Sequence, residues 1–235
     1  MKFVTWNCNG AFRKKLHTLD MIKADLIIVQ ECEDPAQSSK AFRDWANTGD
    51  YLWKGDNKNR GIGVFARNGA SLHYLAWEDY GFKSFVPFCV NDKFNMIGVW
   101  TKENNSSTFR YIGQFWKYMR QNKEKIAAQP FLICGDFNSN KIWDKKDRHW
   151  NHSDVVMELE EIGIFSLYHR LYNQIQGKES QPTLYLHRKL EKPYHVDYVF
   201  ASQELCDRAE LRIGDHNQWL EFSDHMPIIF KLDIH

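Results

Sequence analysis

Short, mostly apolar runs alternate with mixed polar and apolar stretches along the chain. The apolar runs at 2–6, 25–30, 61–66, 85–90, 95–101, 130–134, 183–186, 196–201 and 226–232 predict β-strands. The run at 25–30 is nearly all apolar, which indicates a strand buried on both faces. The stretches at 17–23, 36–45, 111–127 and 155–162 predict helices. Thr18 is a candidate N-cap for the first of these helices.

This order of elements indicates a fold class. Strands that alternate with helices, and that also follow one another closely enough for hairpins, favour an α/β sandwich built on mixed sheets. The sequence has no internal repeat and no Pro- or Ser-rich linker, so we expect one domain over residues 1–235. No apolar run approaches the roughly 20 residues of a membrane-spanning helix, so we expect no membrane partner.

The amino-acid composition limits the kinds of ligand and metal that the protein can bind. The sequence is 43% hydrophobic and 26% charged, which excludes a wholly disordered chain. Its 31 Lys and Arg against 30 Asp and Glu give a net charge of +1, so nucleic acid would have to bind through a local patch or a metal. The five cysteines form no C-x-x-C pair, which argues against a thiolate zinc site. With no signal-peptide pattern at the start, we expect a cytoplasmic protein with reduced thiols.

Polar side chains stand at the ends of the apolar runs. Asn7 and Glu31 follow the first two runs, and Asp136 and Asn138 lie in the Gly-Asp-Phe-Asn segment after a later one. Two further groups complete the pattern: His195 with Asp197, and Ser223-Asp224-His225. Because ligand and catalytic groups in α/β folds lie at strand ends, these residues are expected to meet in one site.

These residue types point to phosphoester chemistry. Oxygen ligands suit a hard cation, Mg²⁺ or Mn²⁺, often with a substrate phosphate in the shell. A carboxylate can orient the attacking water, while a histidine and amide groups stabilise the developing charge. Each residue alone has a simpler explanation, since Asn, Gly and Asp favour turns and Glu31 can be a solvated strand end. Their joint occurrence favours a site, in which His225 would partner the strand-borne Asp197.

The motifs also resemble a known family, the endonuclease/exonuclease/phosphatase superfamily with the deoxyribonuclease-I-like fold. The matching segments, in family order, are Thr5-Trp6-Asn7-Cys8-Asn9-Gly10, Val29-Gln30-Glu31, Gly61-Ile62-Gly63-Val64-Phe65-Ala66, Gly135-Asp136-Phe137-Asn138, His195-Val196-Asp197-Tyr198-Val199-Phe200 and Ser223-Asp224-His225-Met226-Pro227. They extend over nearly the whole chain. The resemblance implies a four-layer α/β/β/α sandwich with two mixed β-sheets packed face to face.

The resemblance further implies roles for individual residues. Glu31 would be the principal metal ligand, with Asn7 close by and Asp224 contributing directly or through water. Asp136 would orient or deprotonate the attacking water, and Asn138 would hold the water or a phosphate oxygen. The remaining two roles are transition-state stabilisation by His225 and orientation of His225 by Asp197.

One position departs from the family pattern. Many relatives carry a Tyr or His at the end of the strand before the long helix, where this sequence has Trp100 followed by Thr101 and Lys102. An indole donates a hydrogen bond but cannot act as a general acid. Metal-bound water is then an alternative proton source for the leaving group, and Thr101, Lys102 or Tyr111 are further candidates.

Candidate substrate contacts come from basic and aromatic residues near the motifs. Aromatic rings beside cations suit stacking on bases and contacts to phosphates, although such loops can equally be solvated surface. The basic segments are 141–148 and 187–192, and Arg13, Lys14 and Lys15 follow the first motif. The candidate substrate-binding residues are Arg60, Trp100, Lys102, Trp143, His152 and His195.

Three functions remain open from the sequence. The first is a Mg²⁺-dependent nuclease or phosphodiesterase acting on DNA or RNA, with Mn²⁺ as a possible substitute metal. The second is a phosphatase or phosphodiesterase of a small phosphoester such as a nucleotide, sugar or lipid headgroup, which the near-neutral charge favours. The third is a catalytically inactive binding module, against which the intact Glu31, Asp136, Asn138, Asp197 and His225 argue. No protein partner is inferred.

Overall fold

A computed structural model describes residues 1–82, 85–103, 108–128 and 130–233. Over these residues the chain forms two six-stranded sheets and a two-stranded ribbon. The first sheet has the order β13-β14-β1-β2-β4-β3. Its strands are β1 (Lys2–Asn7), β2 (Leu26–Cys32), β3 (Tyr51–Asn57), β4 (Arg60–Ala66), β13 (Glu210–Ile213) and β14 (Ile228–Lys231). Only β1 and β2 run parallel among its described pairs, so the sheet is mixed.

The second sheet has the order β5-β6-β7-β8-β12-β9. Its strands are β5 (Leu72–Tyr74), β6 (Phe85–Val90), β7 (Phe94–Trp100), β8 (Phe131–Asp136), β9 (Ile164–Ser166) and β12 (Asp197–Ser202). The pair β7 and β8 is parallel, and the other described pairs are antiparallel. The short ribbon joins β10 (Leu184–Tyr185) to β11 (Pro193–Tyr194).

Three apolar clusters define four layers. One cluster takes side chains from both sheets, including Ile28, Val64, Met96 and Leu132, and is the core between them. A second lies between the second sheet and the helices α3 and α5, and a third lies on the outer face of the first sheet beneath α1, α2 and α8. The helices are α1 (Leu16–Asp20), α2 (Lys40–Ala46), α3 (Ile112–Gln121), α4 (Lys123–Ala127), α5 (His152–Glu160), α6 (Leu167–Tyr172), α7 (Gln203–Cys206) and α8 (His216–Trp219). The predicted α/β/β/α sandwich is confirmed.

Local predictions were less accurate. The helix predicted over 111–127 is broken at the buried Asn122, whose side-chain amide donates to the Tyr118 carbonyl (3.0 Å) and so competes with the helical hydrogen bonds. Thr18 is not the N-cap of α1, because it lies inside the helix and its hydroxyl donates to the Lys15 carbonyl. Strand β3 was missed, since its residues are only partly buried and polar at one end. None of the helices in the described part of the chain has the length and apolar character needed to cross a bilayer.

Candidate active site

The two sheets bring their polar strand ends to one edge of the sandwich. Asn7 ends β1 and lies opposite Gln30 of the parallel strand β2, so Glu31 is one residue further along at the same edge. In the other sheet, Asp136 ends β8 and pairs directly with Asp197 at the start of β12. The side-chain amide of Asn7 joins the two halves by donating to Asp136 (2.9 Å). The site is therefore built across the seam between the sheets.

Glu31 occupies a bulge in β2. The pairing with β4 shifts register between Gln30 and Cys32, and Glu31 has a φ of 61°, in the left-handed region. Such a bulge re-aims a side chain that regular alternation would direct elsewhere. The Glu31 carboxylate accepts from the Asn7 amide (3.3 Å) and pairs with the Arg60 guanidinium (3.2 Å). It is thus held at the rim of the site with 18% of its side chain exposed.

Asp136 is fully buried at the centre of the site. Its carboxylate accepts from the Asn7 amide, and from the Asn138 backbone N–H and side-chain amide, both at 2.8 Å. Burial, with the charge of Asp197, raises the pKa of Asp136 to about 7, while His225 and the hydrogen bonds from Asn7 and Asn138 act in the opposite direction. A carboxyl with a pKa near neutrality suits a general base.

The backbone before and after Asp136 is shaped to hold it. Gly135 precedes it with a φ of 142°, and a Cβ there would lie 2.0 Å from the Val99 carbonyl oxygen, so only glycine fits. Asn138 follows with a φ of 44°, a left-handed conformation that Asn tolerates better than most residues. The Asn138 amide also donates to the Thr101 carbonyl (2.8 Å), which ties the loop to the end of β7.

Asp197 and His225 form a buried pair. The His225 Nδ1 lies 2.9 Å from a carboxylate oxygen of Asp197, and Asp136, Asp197 and His225 each offer a polar atom within 4.8 Å of the others. Burial alone would lower the pKa of His225, but Asp197 and then Asp136 raise it to about 10. The ring is therefore an imidazolium at neutral pH. Its Nδ1 is engaged by Asp197, which leaves Nε2 as the nitrogen for any other partner.

The oxygen donors fit a hard divalent cation. Glu31 and Asn7 are adjacent, and the exposed Asn9 connects them to Asp224: its backbone N–H donates to the Asn7 side chain and its amide donates to the Asp224 carboxylate, both at 2.9 Å. Carboxylate and amide oxygens with a partly exposed rim are a typical Mg²⁺ donor set. The Asp197–His225 pair uses its facing atoms on each other, so the Glu31 side fits the metal better.

A cleft of about 590 Å³ opens beside Asn138. Its other lining residues are Thr108, Arg110, Tyr111, Ile112, Ser139, Trp143, Lys145, Arg148 and Trp150. Trp143 is 43% exposed and packs at 5.3 Å from the Tyr194 ring. The cleft combines cationic and aromatic side chains with Asn138, whose amide donates to the buried Asp136 carboxylate.

The structure separates two predicted histidines from this site. His195 and His152 are buried in the outer layer, where both rings pack against Tyr198, at 5.0 and 4.9 Å. Nδ1 of His195 contacts the Gln181 carbonyl (2.8 Å) and Nε2 of His152 contacts Gln176 (3.1 Å). Burial lowers the pKa of each to about 4. Their placement supports neutral core histidines rather than substrate contacts.

Trp100 and Lys102 are also placed differently from expectation. Trp100 is 7% exposed and belongs to the core between the sheets, although its backbone pairs with Asp136. Lys102 pairs with Asp56, and its Nζ lies 4.8 Å from the Trp100 ring. Arg60 and Trp143 lie at the rim and in the cleft, where a substrate can reach them.

Several supporting residues were missed from the sequence. Asn9 links Asn7 to Asp224, and the buried Ser223 hydroxyl donates to the Asn7 carbonyl (2.7 Å) and accepts from the His225 N–H (3.0 Å). Both lie inside motifs that the sequence singled out, which was the available signal. Arg110, which lines the cleft, had no such signal because it precedes a helix far from the motifs.

Comparison with known proteins identifies the family of the chain. The model of the endonuclease/exonuclease/phosphatase family matches residues 4–225. Similar structures, all 17% identical with full coverage of both chains, are the 3′ phosphatase NExo from Neisseria bound to a product DNA hairpin (TM-score 0.74), the 3′-5′ exonuclease NExo from Neisseria meningitidis (0.73) and an AP endonuclease from Archaeoglobus fulgidus (0.71). No curated protein matches the sequence. Because the family match spans nearly the whole chain, the protein belongs to the endonuclease/exonuclease/phosphatase family and is a phosphoester hydrolase.

Proposed function

We propose that the protein is a Mg²⁺-dependent nuclease that hydrolyses phosphodiester bonds in DNA or RNA. The observation that carries this proposal is the cleft beside Asn138, where Arg110, Lys145 and Arg148 stand among the aromatic side chains Tyr111, Trp143 and Trp150. Sites that bind single-stranded nucleic acid typically combine cationic side chains, which contact the phosphate backbone, with aromatic side chains, on which the bases stack. Asn138 lines this cleft and donates to Asp136, which connects the cleft to the proposed reaction centre.

The chain's own residues supply most of the chemistry. Asp136 orients the attacking water and takes its proton, for which the pKa near 7 is suited. Asn7 and Asn138 keep the Asp136 carboxylate in place. The His225 imidazolium, fixed by Asp197, lies ready to stabilise charge on the phosphoryl oxygens in the transition state.

Glu31, Asn7 and Asp224 would hold Mg²⁺. When bound, the metal neutralises phosphate charge and polarises the phosphoryl group. The Arg60 guanidinium, which pairs with Glu31, is 56% exposed, so it can also contact a substrate phosphate at the rim. The carboxylates of Glu31, Asp136, Asp197 and Asp224 concentrate negative charge at this edge of the sandwich, which favours binding of a divalent cation.

A second surface supports nucleic acid as the substrate. The segment 187–192 holds Arg188, Lys189 and Lys192 and follows β10, whose Tyr185 donates its backbone N–H to the Asp224 carbonyl (2.8 Å). The Arg188 guanidinium donates to the carbonyls of Glu221 and Phe222, and its charge acts on Lys15. The Asp224 charge also acts on Lys15, so basic side chains lie near this proposed metal ligand as well as in the cleft. The DNA hairpin in the similar 3′ phosphatase is consistent with this substrate class.

A small phosphoester is the second candidate substrate. The net charge of +1 favours it over a polyanion, because a nucleic-acid enzyme commonly carries a strong positive field. The local placement of Arg and Lys beside the site offsets this argument. A non-catalytic binding role is disfavoured by the assembled Asp136, Asp197 and His225.

An activity screen tests the proposal. End-labelled single- and double-stranded DNA and RNA are incubated with the protein in Mg²⁺ or Mn²⁺, in parallel with a panel of small phosphoesters. We expect metal-dependent cleavage of nucleic acid that weakens with rising salt, as phosphate contacts require. Asp136→Ala is the control and should lower turnover by on the order of 10²-fold or more. Hydrolysis of small phosphoesters alone would replace the proposal with the second candidate, and metal-independent cleavage equal in Asp136→Ala would refute it.

A further inference from the structure

A buried threonine lies behind the Asp197–His225 pair. Thr183 is 0% exposed and directly precedes β10. Its hydroxyl oxygen accepts hydrogen bonds from two consecutive backbone amides, those of Val196 (2.9 Å) and Asp197 (3.0 Å). Asp197 is the residue whose carboxylate holds His225.

This arrangement fixes the backbone where Asp197 enters β12. In a regular strand, successive N–H groups point to opposite edges, so two consecutive amides cannot donate to one neighbour. Here they converge on the Thr183 hydroxyl, while the Val196 carbonyl accepts from the Phe137 N–H (3.0 Å). Without the hydroxyl, two buried N–H groups would lose the acceptor that defines this bend.

The same segment holds the other member of the pair. The Thr183 carbonyl accepts from the backbone N–H of Met226 (2.7 Å), and the next residue, Leu184, forms an isolated antiparallel bridge with His225. Residues Thr183 and Leu184 thus bind the backbone next to Asp197 and also the backbone next to His225. The Thr183 hydroxyl binds backbone amides rather than the carboxylate of Asp197 or the ring of His225, so Thr183 acts on the pair through the backbone.

We infer that Thr183 is a positioning residue that sets the geometry of the Asp197–His225 pair. The inference rests on the proposed function, in which this pair stabilises the transition state. Valine has the shape of threonine without the acceptor, and serine keeps the acceptor without the methyl group. Thr183→Val and Thr183→Ser are therefore matched variants that separate the hydroxyl from the volume of the side chain.

Kinetics provide the first readout. We expect Thr183→Val to lower kcat by on the order of 10- to 10²-fold with little change in KM, because small displacements of catalytic groups have costs of this size. Thr183→Ser should restore kcat toward the wild-type value. If Thr183 had only a structural role, Thr183→Val would lower the amount of folded protein, which active-site titration or a thermal unfolding curve would show. The folded fraction would then keep the wild-type kcat.

An NMR readout separates the inference from the proposed function. The Nδ1–H proton of His225, hydrogen-bonded to a carboxylate, gives a downfield signal that is assigned by its loss in His225→Gln. We expect the signal to shift or broaden in Thr183→Val and to return in Thr183→Ser, whether or not nucleic acid is the substrate. If Thr183→Val fails to fold, Thr183→Ala is judged by the same criteria.

Two results would overturn the inference. One is a folded Thr183→Val or Thr183→Ala with wild-type kcat and an unchanged His225 signal. The other is a Thr183→Ser that is as impaired as Thr183→Val, which would show that the methyl group matters rather than the hydroxyl. A wild-type protein that cleaves no phosphoester would refute the proposed function and leave the NMR comparison to decide the role of Thr183.

Discussion

The charge of Asp197 is the part of the site whose removal has the most calculable effect. Asp197→Asn preserves the size of the side chain and an oxygen within reach of His225 Nδ1, which now lies at 2.9 Å. The substitution removes the largest contribution that raises the pKa of His225 to about 10. It therefore tests whether an imidazolium, rather than a neutral ring, assists the reaction.

The size of the effect follows from protonation. At pH 8 the wild-type ring is almost fully protonated, since its pKa is about 10. If the pKa returns to its ordinary value near 6.5, about 3% of the rings carry the proton at pH 8, and kcat/KM falls about 30-fold. Burial lowers the pKa of His225 and Asp136 raises it, and both effects remain in the variant, so the loss exceeds this figure where burial dominates and falls short of it where Asp136 does.

The assay is kcat/KM against pH from 6 to 10 at saturating Mg²⁺, with a labelled oligonucleotide. The wild-type profile should be bell-shaped, rising as Asp136 loses its proton near pH 7 and falling as His225 loses its proton near pH 10. In Asp197→Asn the basic limb should move to lower pH, because the Asp197 charge raises the pKa of His225. Asp44→Asn, at an exposed position that pairs with Lys40, is the matched control and should keep the wild-type profile.

A basic limb that stays near pH 10 in Asp197→Asn would refute this reasoning. So would a uniform loss of activity at every pH, which would show that Asp197 acts by geometry alone.

Three further predictions concern the metal, the substrate and the core. Glu31→Gln should weaken Mg²⁺ binding in calorimetry while the fold is kept, and unchanged affinity would move the metal away from Glu31. If a base stacks on Trp143, Trp143→Ala should weaken the binding of a single-stranded oligonucleotide by about 1–3 kcal/mol, as measured by fluorescence anisotropy. An affinity equal to that of the wild-type protein would contradict this prediction. Phe3→Ala, at a buried ring 4.8 Å from Phe230, should lower the free energy of unfolding by about 3–5 kcal/mol in denaturant titrations. A loss under 1 kcal/mol would argue against close packing of that part of the core.

The fold and the centre of the site follow from local sequence patterns. Asn7, Glu31 and Asp136 were predictable because each stands where an apolar run stops, and strand ends in a sandwich gather at its edges. Asp197 and His225 were predictable as a pair because a carboxylate inside an apolar strand needs a charged partner.

Other features of the site could not be predicted, because the sequence does not show whether a side chain points into the core or toward the solvent. His152 and His195 lie beside basic segments in the sequence, yet both turn inward and pack around Tyr198. Polarity alone gives no sign of this, because a neutral histidine carries no charge and is tolerated in a core when its one N–H finds an acceptor, as at the Gln181 carbonyl beside His195. The bulge at Glu31 was equally hidden, since two polar residues in succession do not show where the pairing register shifts.

The left-handed backbone at Glu31 has a consequence for how this protein balances stability against activity. An L-residue in that region costs roughly 1–2 kcal/mol relative to a conformation that it prefers, and glycine would avoid that cost. Glycine would also remove the carboxylate that is proposed to bind the metal, together with its contacts to Asn7 and Arg60. The backbone conformation and the proposed ligand therefore favour different residues at position 31, where stability and activity would be traded against each other.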